Sequence, residues 1–400
     1  MQTSFKINDL NRVVIYFLKR QHLLLLFFAF LFASCKKEIK SLETDNPLEK
    51  NTLRKSSGGP ATVTPFFTGL NNPRGLEWGP DGNLYVAEGG TGGTHSSLLD
   101  NCLQVPFPVG PFFGSPTGGR ISKITPAGIR TTVTDQLPSD QNNIIIGGDI
   151  SGVADLTFIG TTLYAVISAG GCSHGNPTIP NQVVRINSNG TWTTVANLSA
   201  WFQTHPVQHP EEDDFEPDGD PYSMINLHGD LYLIEANHGE LLKVTTDGNI
   251  TRVVDISASQ GHIVPTTLAY HGNFFVGNLN TFPIVDGSSK IMKITPSGQL
   301  KDWVTGLTTV LGLVIDKADR MYVLENSVGV PGPPQFRFPT PGFGQIIRVN
   351  PNGSKEVIAT GLSLPTGMTM GPDGNLYVSN FGFGPGATGG GQVLKVTLNN

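Results

Sequence analysis

The chain is predicted to fold as an all-β, six-bladed β-propeller built from four-stranded antiparallel blades. Two repeating strand signals and a set of tight turns carry that expectation. The first signal reads Leu84-Tyr85-Val86 and recurs as Leu163-Tyr164-Ala165, Leu231-Tyr232-Leu233, Phe274-Phe275-Val276, Met321-Tyr322-Val323 and Leu376-Tyr377-Val378. Each is a short, apolar, β-prone run behind a turn. The second signal occupies 121–124, 183–186, 241–244, 291–294, 346–349 and 393–396. Its third position is basic every time: Lys123, Arg185, Lys243, Lys293, Arg348 and Lys395.

The turns agree with the strands. Asp81-Gly82, Asn189-Gly190, Asp247-Gly248, His271-Gly272, Asn352-Gly353 and Asp373-Gly374 supply the positive φ that tight hairpins require. A further β run at 130–135, 192–198, 250–256, 300–307 and 355–362 gives five outer strands for six blades. The missing one is expected from the amino-terminal side. Phe66-Phe67-Thr68-Gly69-Leu70 matches the ends of two outer strands, Trp303-Val304-Thr305-Gly306-Leu307 and Ile358-Ala359-Thr360-Gly361-Leu362. An amino-terminal strand that completes the last blade closes the ring and leaves no exposed sheet edge.

Residues 1–34 read as a lipoprotein signal peptide. Lys19 and Arg20 precede an apolar run from Leu23 to Phe32, too short to span a bilayer, and Ala33-Ser34 precede Cys35. Cys35 is the expected lipidation site, residues 35–60 a flexible polar tether, and residues 61–400 the propeller. Removing the four basic residues and one acid before Cys35 takes the formal charge from −6 to −9, which disfavours nucleic acid as a partner. The expected setting is the bacterial cell envelope, with the propeller a membrane-tethered monomer facing the periplasm or the exterior.

Five insertions, 89–119, 169–182, 279–290, 327–345 and 381–392, all follow a second strand and so fall on one face of the ring. Long loops on a rigid scaffold are where binding concentrates. On that face the second strands end in Glu88, Ile167, Glu235, Asn278, Glu325 and Asn380. A ring of Glu88, Glu235, Asn278, Glu325 and Asn380 at the channel mouth would suit Ca2+, which takes about 6–8 oxygen ligands. The alternative is that each side chain bonds backbone of its own loop. Arg74, in the turn before the first blade, is a cation beside that ring and a partner for Glu88.

The segment from His205 to Asp220, with His209, Glu211, Glu212, Asp213 and Asp214, is the densest acidic and histidine run. Pro206 and Pro210 disfavour a helical zinc site there. Cys102 and Cys172 lie in insertions of adjacent blades, and either a disulfide or two free thiols is compatible with the sequence. No nucleophile elbow and no phosphate-binding glycine loop is present.

The run from Pro73 to Glu88 resembles an NHL-type repeat. Residues 61–400 resemble the ScyD/ScyE family of secreted propellers, through Gly171-Cys172-Ser173-His174-Gly175, Asp214-Phe215-Glu216-Pro217-Asp218-Gly219, Pro221-Tyr222-Ser223-Met224, Val264-Pro265-Thr266-Thr267 and the run from Val276 to Pro283. That resemblance implies a propeller outside the cytoplasm and no particular reaction. A more distant similarity is to six-bladed calcium-dependent lactonases and gluconolactonases, whose channel metal is held by Glu, Asn and Asp. It makes His174, His238 and His262 candidates for a general base by face alone. Two functions follow as expectations. One is a module binding a protein, glycan or small molecule through the looped face; the other is a calcium-dependent hydrolase, lactonase or lyase acting at the channel.

Overall fold

The computed structural model describes residues 61–107, 109–142, 149–210 and 215–399. The proposed signal peptide, Cys35 and the tether lie outside the described residues, as do Glu211, Glu212, Asp213 and Asp214. Among the described residues no helix is long and apolar enough to cross a membrane.

Six antiparallel sheets form the ring. Blade 1 consists of Pro73–Trp78, Leu84–Glu88, Phe113–Ile124 and Arg130–Gln141, with short added strands at His95–Ser96 and Ile150–Ser151. Blade 2 is Val153–Ile159, Thr162–Ile167, Gln182–Ile186 and Trp192–Asn197, and blade 3 is Pro221–Leu227, Asp230–Glu235, Glu240–Val244 and Ile250–Asp255. Blade 4 is Pro265–Tyr270, Phe274–Asn278, Ser289–Ile294 and Leu300–Leu307, and blade 5 is Val310–Ile315, Met321–Glu325, Gly344–Val349 and Lys355–Leu362. Blade 6 takes Gly367–Met370, Leu376–Asn380 and Gly391–Leu398 from the end of the chain and Ala61–Asn71 from its start. Ala61 pairs with Leu398 and Leu70 with Gly391, so the closing strand runs the whole length of its neighbour.

Apolar burial explains why the sheets stack. Six hydrophobic clusters each straddle one junction between blades. At the closing junction, Leu70 and Val393 of blade 6 bury with Leu76, Leu84 and Val86 of blade 1. First strands of consecutive blades touch in an unbroken cycle and line the channel.

In blades 1, 3 and 6 the recurring basic residue of the third strand has a partner at the turn or start of the second strand, and in blade 5 Arg348 pairs with Glu356 of the outer strand. In blade 6, Asp373 accepts from the Asn375 backbone at 3.1 Å and from the Tyr377 hydroxyl at 3.1 Å, and Lys395 lies 2.7 Å away. Asp81, Asn83, Tyr85 and Lys123 repeat the arrangement in blade 1, and Lys243 meets Asp230 at 2.6 Å in blade 3. In blade 4 the cation instead covers aromatic rings, with Lys293 4.6 Å from Trp303. The hairpin turn and the two strands after it are thus joined through one side-chain set.

Blade 1 departs from the sequence expectation in one respect. Its outer strand continues past Asp135 to Gln141, paired with Phe113–Gly119 of the expected loop across a register shift between Ser115 and Gly119. The composition of Gly114-Ser115-Pro116-Thr117-Gly118-Gly119 reads as loop, yet bulges let it pair. That extension lifts Asp140 opposite Gly114, above the body of the blade on the looped face.

Candidate functional site at the looped mouth of the channel

Four of the blades are entered through a sharp corner. Asn72, Val264, Thr309 and Leu364, immediately before residues 73, 265, 310 and 365, have φ values of 53°, 52°, 44° and 46°. Side chains with a Cβ rarely adopt this region, and the strain is of order 1–3 kcal/mol each. The ends of the second strands hold these corners. Glu88 accepts from the backbone N–H of Asn71 at 2.6 Å, Glu325 from Thr308 at 2.5 Å and Asn380 from Ser363 at 2.8 Å. Asn278 donates to the carbonyl of Ile263 at 3.0 Å. In each case the gripped residue directly precedes the left-handed one. In blade 3, Glu235 accepts from Asp220, Asn237 and His238 backbone N–H groups at 2.6, 2.9 and 2.6 Å.

These contacts engage the residues of the expected ring with protein neighbours. Glu88 faces Arg120 and Ser122, Glu325 accepts from Gln345 at 2.6 Å, Asn278 accepts from the Lys290 backbone at 2.8 Å, and Asn380 donates to Gln392 at 3.3 Å. Oxygens facing N–H donors and a guanidinium do not fit a calcium cage. Among the described residues, no three His, Cys, Asp or Glu side chains gather in a way that could hold a metal. The pairing of Arg74 is a correction: Glu88 pairs with Arg120, and Arg74 reaches Asp149 at 3.3 Å and the Ile150 carbonyl at 2.6 Å.

One residue past the start of the first strand lies a second repeated feature. In blades 1 to 5 the inner strand carries extra residues relative to its partner between the first two rungs, a bulge at Arg74-Gly75, Ala154, Tyr222, Thr266 and Leu311. Bulges re-aim side chains beside functional sites. Here they serve the channel. Thr266 donates to the Val310 carbonyl and Thr366 to the Pro73 carbonyl, both at 2.6 Å, stapling each blade to the next. The Tyr222 hydroxyl reaches the Thr366 carbonyl at 3.1 Å, spanning from blade 3 to blade 6 across the ring. Gly75 is required where it stands, because a Cβ there would overlap the Asp155 carboxylate. Asp155 accepts from Met224 N–H at 2.8 Å and Ser223 at 3.2 Å, which ties the inner strands of blades 2 and 3.

Above these three blades the charged side chains concentrate. His174 Nδ1 lies 2.6 Å from a carboxylate oxygen of Asp140, with both side chains buried, and Phe112 packs on the ring at 5.4 Å. Its Nε2 is buried and has no hydrogen-bond partner. The loop that presents His174 is fixed on several sides. Cys172 is joined to Cys102 in a disulfide, Ser173 donates to Asp218 through N–H and hydroxyl at 3.1 and 2.9 Å, and Asn176 donates to the Ser139 and Ala169 carbonyls. Gly175, at φ 71°, sits so close to His95 and Gly114 backbone that no side chain would fit.

The electrostatics follow from that burial. Desolvation pulls the His174 pKa down, but Asp140 outweighs it and pushes the group up to about 10, so the imidazole is charged at neutral pH. Burial lifts Glu216 to about 7, opposed by His174 and aided by Asp140 and Glu235. Burial and the neighbouring Glu216 hold Asp220 well above the usual carboxylate range. Burial raises Tyr222 to about 12, so it keeps its proton. Burial works against the Arg74 charge, but Asp149, Tyr222 and Asp220 outweigh it and its pKa rises. Glu216, Asp220 and Tyr222 remain partly open to solvent.

Of the residues expected from sequence, Arg74 joins this cluster and Glu235 borders it. His238 lies beside Glu235, with Nδ1 3.4 Å from its carboxylate, against Phe202. His262 stands in the lead-in to blade 4, half-buried. Glu88, Asn278, Glu325 and Asn380 are held at their own corners. Asp140 and Asp149 carry no sequence signal, while Glu216, Asp220 and Tyr222 stand in the acidic run and the family-like segments without being expected at the site; the signal that marks Arg74 and Tyr222 is a polar residue at the second position of a first strand.

The fold defines the class as a six-bladed β-propeller. No protein-family model matches the chain, and no curated protein matches it in sequence. Solved structures do. A protein of unknown function from Bacteroides thetaiotaomicron is 11% identical, with a TM-score of 0.52 over 84% of this chain and 75% of that one. A putative oxidoreductase (glucose dehydrogenase) from Thermus thermophilus is 16% identical, with a TM-score of 0.50 over 84% and 99%. A gluconolactonase from Xanthomonas campestris is 9% identical, with a TM-score of 0.48 over 85% and 90%. At such identities the likeness is one of architecture.

Proposed function

We propose that the protein is an extracytoplasmic binding propeller of the ScyD/ScyE kind that takes a small polar ligand at the looped mouth of its channel. The observation that carries this reading is the convergence of Arg74, His174, Glu216, Asp220 and Tyr222 from three blades at one point partly open to solvent. Convergent polar groups of perturbed pKa in a concave site are the usual mark of a ligand site. A thermal-shift screen of sugars, polyols and small acids on the mature protein tests it. The expected result is a ligand that raises Tm in the parent and fails to do so in Tyr222→Phe and Asp220→Asn. Ligands that stabilise all three proteins alike would place binding elsewhere. Lipidation at Cys35 belongs to the same proposal, and labelling with radioactive palmitate should disappear in Cys35→Ala.

A hydrolase or lyase is the second reading. It is favoured by one feature, a Glu216 carboxyl near half-ionisation at neutral pH beside a charged imidazole, which suits general acid–base work. Turnover of a lactone or ester that vanishes in Glu216→Gln would raise it above simple binding.

A further inference from the structure

Among the carboxylates of the mouth stand two donors, Arg74 and His174. Arg74 is 11% exposed, and the Ile150 carbonyl holds one guanidinium nitrogen at 2.6 Å. The carboxylate on that same nitrogen, Asp149, is 3.3 Å away and 54% exposed, so it is a solvent-side partner that another carboxylate can replace. His174 is 3% exposed. Asp140 occupies its Nδ1, and Nε2, on the far side of the ring, faces no acceptor although it is buried. A buried donor without an acceptor carries its full desolvation cost, which an arriving acceptor removes. The Tyr222 hydroxyl lies beside Arg74.

We propose that the mouth recognises the carboxylate of a small organic acid, with His174 Nε2 and the Arg74 guanidinium as its two charged donors. This rests on the reading of the mouth as the ligand site and names the ligand's chemistry. The bound carboxylate takes the outer edge of Arg74 from Asp149 and supplies the acceptor His174 lacks. Charge-assisted bonds of this kind are roughly twice as strong as neutral ones. The groups around the imidazole are Asp140 from the outer strand of blade 1 and Glu216 and Asp220 from the lead-in to blade 3. Burial raises both of the latter carboxyls above the usual carboxylate range, which eases the approach of an anion. A phosphate dianion fits less well, because its second negative charge would meet the Asp140 and Glu235 side chains.

The test compares D-glucuronate with D-glucose at pH 6 on the mature protein, by calorimetry and by 15N NMR of the histidine side chains. The two sugars differ in a carboxylate in place of a hydroxymethyl group. Glucuronate is expected to bind at least ten-fold tighter, to move the His174 Nε2 resonance, and to lose ten-fold or more with His174→Gln or Arg74→Met. Asp149→Asn, at an exposed position, should tighten glucuronate binding by removing the competitor, and it serves where His174→Gln fails to fold. Equal affinity for both sugars, lost with Tyr222→Phe, would overturn the acid inference and leave the mouth as the ligand site. Binding that ignores every mouth substitution would overturn both. No glucuronate binding, or weaker binding in Asp149→Asn, would also overturn the inference.

Discussion

Arg120 holds Glu88 through two nitrogens, Nε at 2.8 Å and a terminal nitrogen at 2.5 Å, directly across the strand pair of blade 1. The Glu88 side chain is fully buried and also carries the Asn71 N–H that precedes the left-handed corner at Asn72. Removing the carboxylate therefore strands a mostly buried guanidinium and a buried backbone donor together. Glu88→Ala is expected to lose about 3–5 kcal/mol, the usual cost of breaking a buried pair from one side. Replacing both partners, as in Glu88→Leu with Arg120→Met, should cost less than Glu88→Ala alone. Denaturant unfolding of the three proteins decides it; a loss under about 1 kcal/mol in Glu88→Ala would show that the corner does not depend on this latch.

The latch at the hairpin of blade 6 is weaker and titrates differently. Burial tends to raise the Asp373 pKa, but Lys395, Asn375 and Tyr377 together overcome it and lower the group to about 2. A carboxylate with a depressed folded pKa adds stability that is full above its unfolded value near 4 and fades as pH falls toward 2. The pair is about one-third exposed on each side, so solvent screens it. Asp373→Asn should cost no more than about 1 kcal/mol at pH 7 and almost nothing at pH 2. A cost independent of pH would assign the effect to turn geometry instead.

The ring was legible because its signals are local and repeated. Tyr377 and Lys395 hold fixed places within the second- and third-strand motifs of one blade, and the same two motifs return around the circle. The closing strand was legible for the same reason, since Phe66 to Leu70 copies two outer strands. The site was not, because it is assembled from segments with no common period. Asp140 rises only because a Gly- and Ser-rich stretch pairs as a strand, and His174 meets it across 34 residues. The second-strand ends pointed to a ring, but spacing along a strand does not reveal which neighbour takes the oxygen. Here the strained corners take it.

The disulfide joins the insertions of blades 1 and 2 across 70 residues, one position from Ser173 and two from His174. A cross-link closing a loop of that length removes unfolded-state entropy worth about 4 kcal/mol in the chain-entropy account, and measured gains run about 2–4 kcal/mol. Cys102→Ser with Cys172→Ser should lower stability by that amount. It should also broaden the His174 imidazole resonances, because Asp218 and Asn176 then hold the loop alone. Unchanged His174 resonances in a destabilised double variant would separate the cross-link from the site.

Glu77 reports the pH response of the inner channel wall. Burial raises its carboxyl from 4.5 to about 7; Asp155 adds to the rise, and a hydrogen bond from Thr157 opposes it. An acid whose folded pKa lies above its unfolded value favours folding at low pH. Its contribution declines as pH rises through 4.5 and levels off above about 7, where the native state must carry a buried charge. A shift of that size corresponds to about 3 kcal/mol at pH 8. Glu77→Gln keeps the size and the hydrogen-bonding capacity of the protonated acid and cannot ionise. It should gain about 1–3 kcal/mol over the parent at pH 8 and change little at pH 4, so the two stability curves converge on the acid side. Chemical denaturation at pH 4, 6 and 8 measures this, and a gain that is equal at all three would mean that Glu77 is not ionising within the fold.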